Sequence, residues 1–304
     1  MNNFKLTILI PTYNNGRYVV RALESILSQQ SNYPYKVIFL EDCSTDDSVK
    51  IIKKYIAKYP KKIFLHQNKI NLGLCKNIFN GYQLLETDYF CVLDPDDYWI
   101  DNHKVKSALE FLEKNKEYSI YTTNYYLEKD GEREIAIKQK TNCEFSIEHH
   151  QKIVLGHTSS TIFRNIVFKN YNKTILKRIL NNKNSDVYRG DTFRNYLHLD
   201  KGKGFFDKNF TSVYSTNEKG IWNSLNVFEK NLFNAKLYLE MFIFFKSKYQ
   251  FMLELADYFT LKLKEHATKN GGVLGKKYIK EYIKIIFNKK IIKFKQAVAR
   301  FLIR

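Results

Sequence analysis

A chain of 304 residues, 44% of them hydrophobic, is long enough for one large domain or two modest ones and too apolar to be disordered. Its 50 Lys/Arg against 31 Asp/Glu leave a net charge of +19, which favours nucleic acid, lipid headgroups or phosphorylated substrates without choosing among them. Cys43, Cys75, Cys91 and Cys143 form no CxxC pair and no cluster of zinc spacing, so they read as free thiols of a reducing cytoplasm. No stretch reaches the ~20 apolar residues of a membrane span, and the run Leu6 to Pro11 is too short for a signal peptide.

The first 115 residues alternate as a βαβ sheet demands. Phe4 to Ile10 is a buried strand ended by Pro11, and Arg17 to Gln29 carries Val20, Leu23, Ile26 and Leu27 at helical spacing. Lys36 to Leu40 is a second strand, leading through the polar segment Glu41 to Ser48 into a helix capped by Asp46 and running to Lys58. Ile63 to His66 is a third strand, and Asn71 to Gly73 turns into a helix through about Leu85. Tyr89 to Leu93 is a fourth, running straight into Asp94-Pro95-Asp96-Asp97, before a helix from Asn102 to Lys114. In an open parallel sheet the carboxyl ends of neighbouring strands share one crevice, so three polar clusters converge: Thr12-Tyr13-Asn14, Glu41-Asp42 and the acidic loop.

Tyr118 to Trp222 is less periodic, with strand-like pieces at Ile120 to Leu127 and Thr161 to Phe163. From Asn223 the pattern is helical, and 17 Lys/Arg against 6 Asp/Glu concentrate a net +11 in this last quarter. Its final segment, Lys276 to Arg304, sets Ile279, Ile283, Ile286, Phe294, Val298 and Phe301 near one face among lysines. That pattern suits an anionic membrane interface, or equally a packed helical subdomain with a solvated basic face. An RNA-binding tail is a third reading, but no nucleic-acid motif accompanies it.

Three carboxylates within four residues repel one another and call for a cation or strong hydrogen bonds. Hard oxygens suit Mg²⁺ or Mn²⁺ shared with substrate phosphates, although Asp-rich turns also occur as solvated helix caps. The first loop, PTYNNGRY, lacks GxGxxG, and the chain has no GxxxxGK[ST], so neither a dinucleotide fold nor a P-loop holds the phosphates.

Four stretches, Ile8 to Asn14, Leu40 to Ser48, Asn71 to Asn77 and Val92 to Trp99, stand in the order and spacing of family 2 glycosyltransferases, and the chain resembles that family across its first hundred residues. The resemblance implies an α/β GT-A fold, a mostly parallel sheet flanked by helices, with a basic helical C-terminal extension. It implies a nucleotide-sugar half over 1–115, an acceptor and catalytic-base half over 116–222, and the extension over 223–304. By the same resemblance Pro11, Thr12 and Tyr13 line the base pocket, Asp42 meets the base edge, and Asn71 and Lys76 lie near the diphosphate. Asp94 and Asp96 are the DxD pair: Asp94 approaches ribose or metal, Asp96 ligates Mn²⁺ or Mg²⁺, and Asp97 supports the loop. Asp191, in VYRGDTFRNYL, matches the base that takes the acceptor proton, though an ordinary helix cap is open at that position. His157 and Trp222 are acceptor-side candidates, while His149-His150 reads as a solvated loop.

Two departures stand out. Ser215 and Asn217 occupy the places of an Arg-x-His pair, and Lys76 replaces an Arg, keeping charge without the bidentate fork. The function implied is inverting transfer of a hexose or N-acetylhexosamine from a nucleotide diphosphate, UDP first, to a glycan or lipid-linked glycan in surface polysaccharide synthesis. The expected location is the cytoplasm, or the inner face of the membrane if the tail seats there. The alternative is a non-catalytic nucleotide-sugar-binding or membrane-adaptor module on the same fold, which has no need of Asp191.

Overall fold

The computed structural model of the chain describes residues 4–150, 156–169, 191–216, 222, 224–269 and 283–292. The chain forms two compact units, residues 1–216 and 217–304.

The first unit is built on a ten-stranded sheet. Strands β1 (Leu6–Thr12), β2 (Tyr35–Glu41), β3 (Ile63–Gln67) and β4 (Tyr89–Val92) are parallel and run in the order β3-β2-β1-β4. β1 is buried along its whole length, as the unbroken apolar run requires of a strand covered on both faces. Alternate residues of β1 serve different faces. Leu6, Ile8 and Ile10 pack with Val19, Ala22, Leu23 and Ile26 of α1 (Gly16–Leu27), Ile52 of α2 (Ser48–Lys58), and Val105 and Leu109 of α4 (Lys104–Lys114). On the opposite face α3 (Leu74–Tyr82) contributes Phe79 and Tyr82 to a ring cluster with Phe90 and Phe163. Each such fully buried side chain adds about 1.5–3 kcal/mol by leaving water.

Beyond β4 the sheet changes character. β9 (Thr161–Arg164) is antiparallel to both β4 and β6 (Tyr118–Lys129), and β10 (Lys203–Ser215) lies parallel to β6. The two-residue β5 (Tyr98–Trp99) closes that edge against β10; β7 (Glu132–Ile135) pairs with β6, and β8 (Cys143–Phe145) with β10. A short helix, α5 (Ile147–His150), and α6 (Asp191–Leu199) complete the described helices of this unit.

The structure corrects several local expectations. Val20 is 39% exposed and Val19 takes its place on the buried face of α1. Asp46 does not cap α2 as its N-cap residue. The helix starts at Ser48, while Asp46 Oδ1 accepts from Ser48 N at 3.0 Å and Oδ2 from Gly16 N at 3.0 Å, tying two loops together. α3 ends at Tyr82, with turns taking the chain on to Leu85. The thirteen-residue β10 was not foreseen: Asp207-Lys208-Asn209 interrupts its apolar pattern where the ladder shifts register.

The second unit packs α7 (Val227–Phe244) on α8 (Gln250–Lys269). Asn226 caps α7 in a reciprocal box with Glu229, and Met241, Phe242, Met252 and Ala256 are fully buried. In the helical stretch 283–292 the buried residue is Ile285, while Ile283 is 58% exposed, so the apolar face lies to one side of the expected one. Residues 270–282 and those beyond 292 lie outside the described residues. Among the described residues no helix is long and apolar enough to cross a membrane.

Candidate active site

The carboxyl ends of β1, β2 and β4 present the three polar clusters side by side. Pro11 and Thr12 are buried at the end of β1, whereas Tyr13 is 46% exposed beyond it. Asn14 turns the chain at φ +53°, its Oδ1 accepting from Thr45 N at 2.8 Å and its own N–H donating to Ser44 Oγ at 3.0 Å. Asp42, 3% exposed at the end of β2, is heavily bonded. Oδ1 accepts from Asn68 Nδ2 and Leu72 N, each at 2.9 Å, and Oδ2 accepts from Gly73 N at 2.9 Å. Gly73 sits at φ +79°, which glycine adopts without strain, so Asp42 shapes the 71–73 turn through its amides. Asn71 and Lys76 are exposed on that turn and the helix it opens.

The acidic loop after β4 is different. Asp97 N–H donates to Asp94 O at 3.0 Å, closing a turn that buries Asp97 completely. Its Oδ1 accepts from Ser215 N at 3.0 Å, but Oδ2 has no hydrogen-bond partner and faces His157 Nδ1 at 3.4 Å. Asp94, Asp97 and His157 each bring a ligand atom within 4.8 Å of the others. Asp96 is not in that trio; its backbone carbonyl accepts from Arg21 Nη2 at 3.1 Å.

His157 is held by an unusual amount of structure. Gly156 before it has φ +87°, and a Cβ there would fall 1.9 Å from Thr122 Oγ1, so no other residue fits. The 3-10 turn Thr158–Ser160 behind it is pinned by Trp99 Nε1 donating to Ser159 O at 2.8 Å and Lys104 Nζ donating to Ser160 O at 2.8 Å. Lys104 is 1% exposed, and burial pushes its ammonium down to about 8. The imidazole stacks on Tyr214 at 4.2 Å and lies 5.4 Å from Tyr125.

The electrostatics follow from burial. Asp94 is pushed up to about 7, first by burial and then by the charge on Asp96, with Arg194 drawing it back. Burial, Asp94 and Asp96 together raise Asp97 well above the carboxylate range. Burial raises Asp96 as well, against Arg21. His157 is held down to about 4 by burial, so its ring is neutral and keeps a lone pair. Two carboxylates and a neutral imidazole with too little positive charge around them fit a divalent cation.

Asp191 opens α6, and its charge acts on Asp94, His157, Tyr125 and Tyr214. The sequence reading missed Arg194, one helical turn further on. It is 5% exposed, donates to Tyr82 Oη at 3.1 Å and Thr158 Oγ1 at 3.2 Å, and feels both Asp191 and Asp94. The available signal was its i, i+3 spacing from Asp191. Trp222 belongs to the 217–304 unit, 42% exposed, its ring edge-on to Phe233 at 5.6 Å. Asn217 lies outside the described residues. His149, in α5 rather than a loop, bonds locally to Ser146. A cleft of about 490 Å³ at the opposite ends of the strands, lined by Tyr33, Tyr35, Tyr59, Lys61 and Lys62, contains no acid or histidine.

The family model described as Glycosyl transferase family 2 matches residues 7–182, more than half of the chain. An uncharacterized glycosyltransferase of Mycoplasma pneumoniae, a homologue of MG025, is 34% identical over 109 residues, 36% of either chain. The poly(ribitol-phosphate) β-N-acetylglucosaminyltransferase TarS of Staphylococcus aureus is 30% identical over 115 residues, 36% of this chain and 19% of TarS. The chain thus spans about a third or less of the length of these curated relatives. The crystal structure of the TarS 1–349 fragment with UDP-GlcNAc superposes with a TM-score of 0.65 at 17% identity, covering 94% of this chain and 80% of that one. A Pyrobaculum calidifontis mannosyltransferase with GDP-Man and Mn²⁺ gives 0.54 at 13%, covering 94% and 86%. The sheet flanked by helices is the GT-A fold, as the motifs led us to expect, and the chain belongs to glycosyl transferase family 2.

Proposed function

We propose that the chain is an inverting glycosyltransferase that moves a hexose or N-acetylhexosamine from a UDP-sugar onto a glycan or lipid-linked glycan of a surface polysaccharide. The observation that carries this reading is the buried acidic loop, short of positive charge, with the Asp191 carboxylate acting on the same groups from another element. The UDP-GlcNAc bound by TarS and that protein's poly(ribitol-phosphate) acceptor support the donor and acceptor classes.

The residues divide the work. Pro11, Thr12 and Tyr13 receive the base, and Asp42 fixes the turn beside it while offering its edge to the base. Asn71 and Lys76 face the diphosphate from the exposed side of that turn, the ammonium offsetting phosphate charge. Asp94 and Asp96 would hold Mn²⁺ or Mg²⁺, which would supply charge neutralisation for the leaving diphosphate. Asp191 takes the acceptor hydroxyl proton, and one in-line attack inverts the anomeric centre. Arg194, one turn along α6, sets its guanidinium charge beside Asp191, which in turn favours the charged guanidinium. Trp222 offers an exposed indole as a stacking platform for an acceptor sugar. The basic residues from 223 onward suit a peripheral seat on an anionic membrane.

The test is a panel of UDP-, GDP- and dTDP-sugars with Mn²⁺, Mg²⁺ or EDTA, alongside Asp96→Ala and Asp191→Ala. One UDP-sugar should bind with metal, lose binding in Asp96→Ala and lose only turnover in Asp191→Ala, with the product anomer inverted by NMR. Failure of every nucleotide sugar to bind would sink the proposal.

A further inference from the structure

We infer that His157 is a nitrogen ligand of the divalent cation at the acidic loop, that Asp97 shares the ion, and that the site therefore selects Mn²⁺ over Mg²⁺. This rests on the metal-dependent reading above and deepens it, since the motif alone points to Asp94 and Asp96.

Three observations carry it. Asp97 Oδ2 is an acceptor inside a residue with 0% exposure, meets no donor in good hydrogen-bond geometry, with only the Ser159 hydroxyl acting on the same carboxyl besides the Ser215 amide, and is aimed at another acceptor-bearing ring 3.4 Å away. Two acceptors at that distance need a proton or a cation between them. The separation matches neighbouring ligands of an ion bound at ~2.2 Å. Third, the ring is fixed from behind: Gly156, the Trp99 and Lys104 bonds to the 158–160 turn, and the stack on Tyr214 hold it at Asp97, although 60 residues of chain separate the two. Ser159 Oγ, 3.0 Å from Nδ1, is the hydroxyl that must turn aside when an ion arrives.

The ligand chemistry sets the selectivity. Mg²⁺ keeps its waters and takes oxygens, so a buried imidazole does little for it. Mn²⁺ accepts carboxylate and imidazole together and stands at the foot of the series in which nitrogen ligation strengthens.

Electron spin-echo spectroscopy of the full chain loaded with Mn²⁺, with and without UDP, tests this directly. A ¹⁴N coupling should appear and change to the ¹⁵N pattern when histidine is isotopically labelled, a readout needing no variant. His157→Gln should abolish it and weaken Mn²⁺ binding by about 10- to 100-fold or more, the range that loss of even an outer-shell partner costs. Mg²⁺ affinity should move far less. Bound Mn²⁺ without ¹⁴N coupling, or no Mn²⁺ binding at all, overturns the inference; a proton then bridges Asp97 and His157. Calorimetry with a UDP-sugar on the same samples separates the two claims. Nucleotide binding without ¹⁴N coupling sinks the ligand assignment alone, whereas ¹⁴N coupling without nucleotide binding sinks the transferase reading and leaves the metal site.

Discussion

Asp42 and Asp97 are buried aspartates at the carboxyl ends of two strands of one sheet, yet they are in opposite states. Asp42 receives two backbone amides and one side-chain amide, and its carboxylate is a structural part of the 71–73 turn. Asp97 receives one backbone amide and the pull of the Ser159 hydroxyl, keeps an oxygen with no donor in good geometry, and has Asp94 and Asp96 as near neighbours. Burial costs both; only the first is compensated by the protein itself. Position in the topology therefore does not tell a scaffold carboxylate from one that waits for a cation, whereas the balance of donors does.

The largest effect should come from a third carboxylate outside that balance. Asp191→Asn should lower kcat by about 100- to 10,000-fold, the worth of a general base, while calorimetry finds UDP-sugar affinity in Mn²⁺ unchanged. Next, Asp42→Ala takes an acceptor from three donors; Gly73 N keeps Asn71 Oδ1 and Asn68 Nδ2 keeps Asn77 Oδ1, but Leu72 N is left unmet, and the change should cost about 1–3 kcal/mol in a denaturant titration. Removing a carboxylate charge in the acidic loop should act the other way. Asp94, raised from 3.8 to about 7, binds a proton in the native state that the unfolded chain releases. Native stability from this group is therefore full below about pH 4 and lost as pH rises to about 7. Metal-free Asp94→Asn should overtake the wild type across that window, by on the order of 1 kcal/mol because Arg194 loses a counter-charge at the same time. Added Mn²⁺ should reverse the order. The smallest effect belongs to Asn71→Ala: Gly73 N already donates to Asp42, so stability should change by no more than about 0.5 kcal/mol.

How far the sequence reaches follows from the same contrast. The four parallel strands and their helices are legible because each is a local apolar run of the right period, joined to the next by a short polar loop. The acidic loop is legible as chemistry for the same reason, three Asp in four residues. The second half of the sheet is not: β9 inserts antiparallel between β4 and β6, and β10 breaks its pattern at a bulge, so pairing is decided by partners far along the chain. His157 and Arg194 join the site only through those pairings and through α6. Single residues in aperiodic segments leave little for spacing to find, and Asp97 is set apart from its neighbours in the loop only by its unmet oxygen.

The most direct test of the central claim, that the acidic loop takes a nucleotide diphosphate through a cation, is calorimetry of a UDP-sugar on the full chain in Mn²⁺ and in EDTA. The account predicts binding in Mn²⁺ that vanishes in EDTA and in Asp94→Asn. Binding of equal strength in EDTA, or none in either buffer, would contradict it.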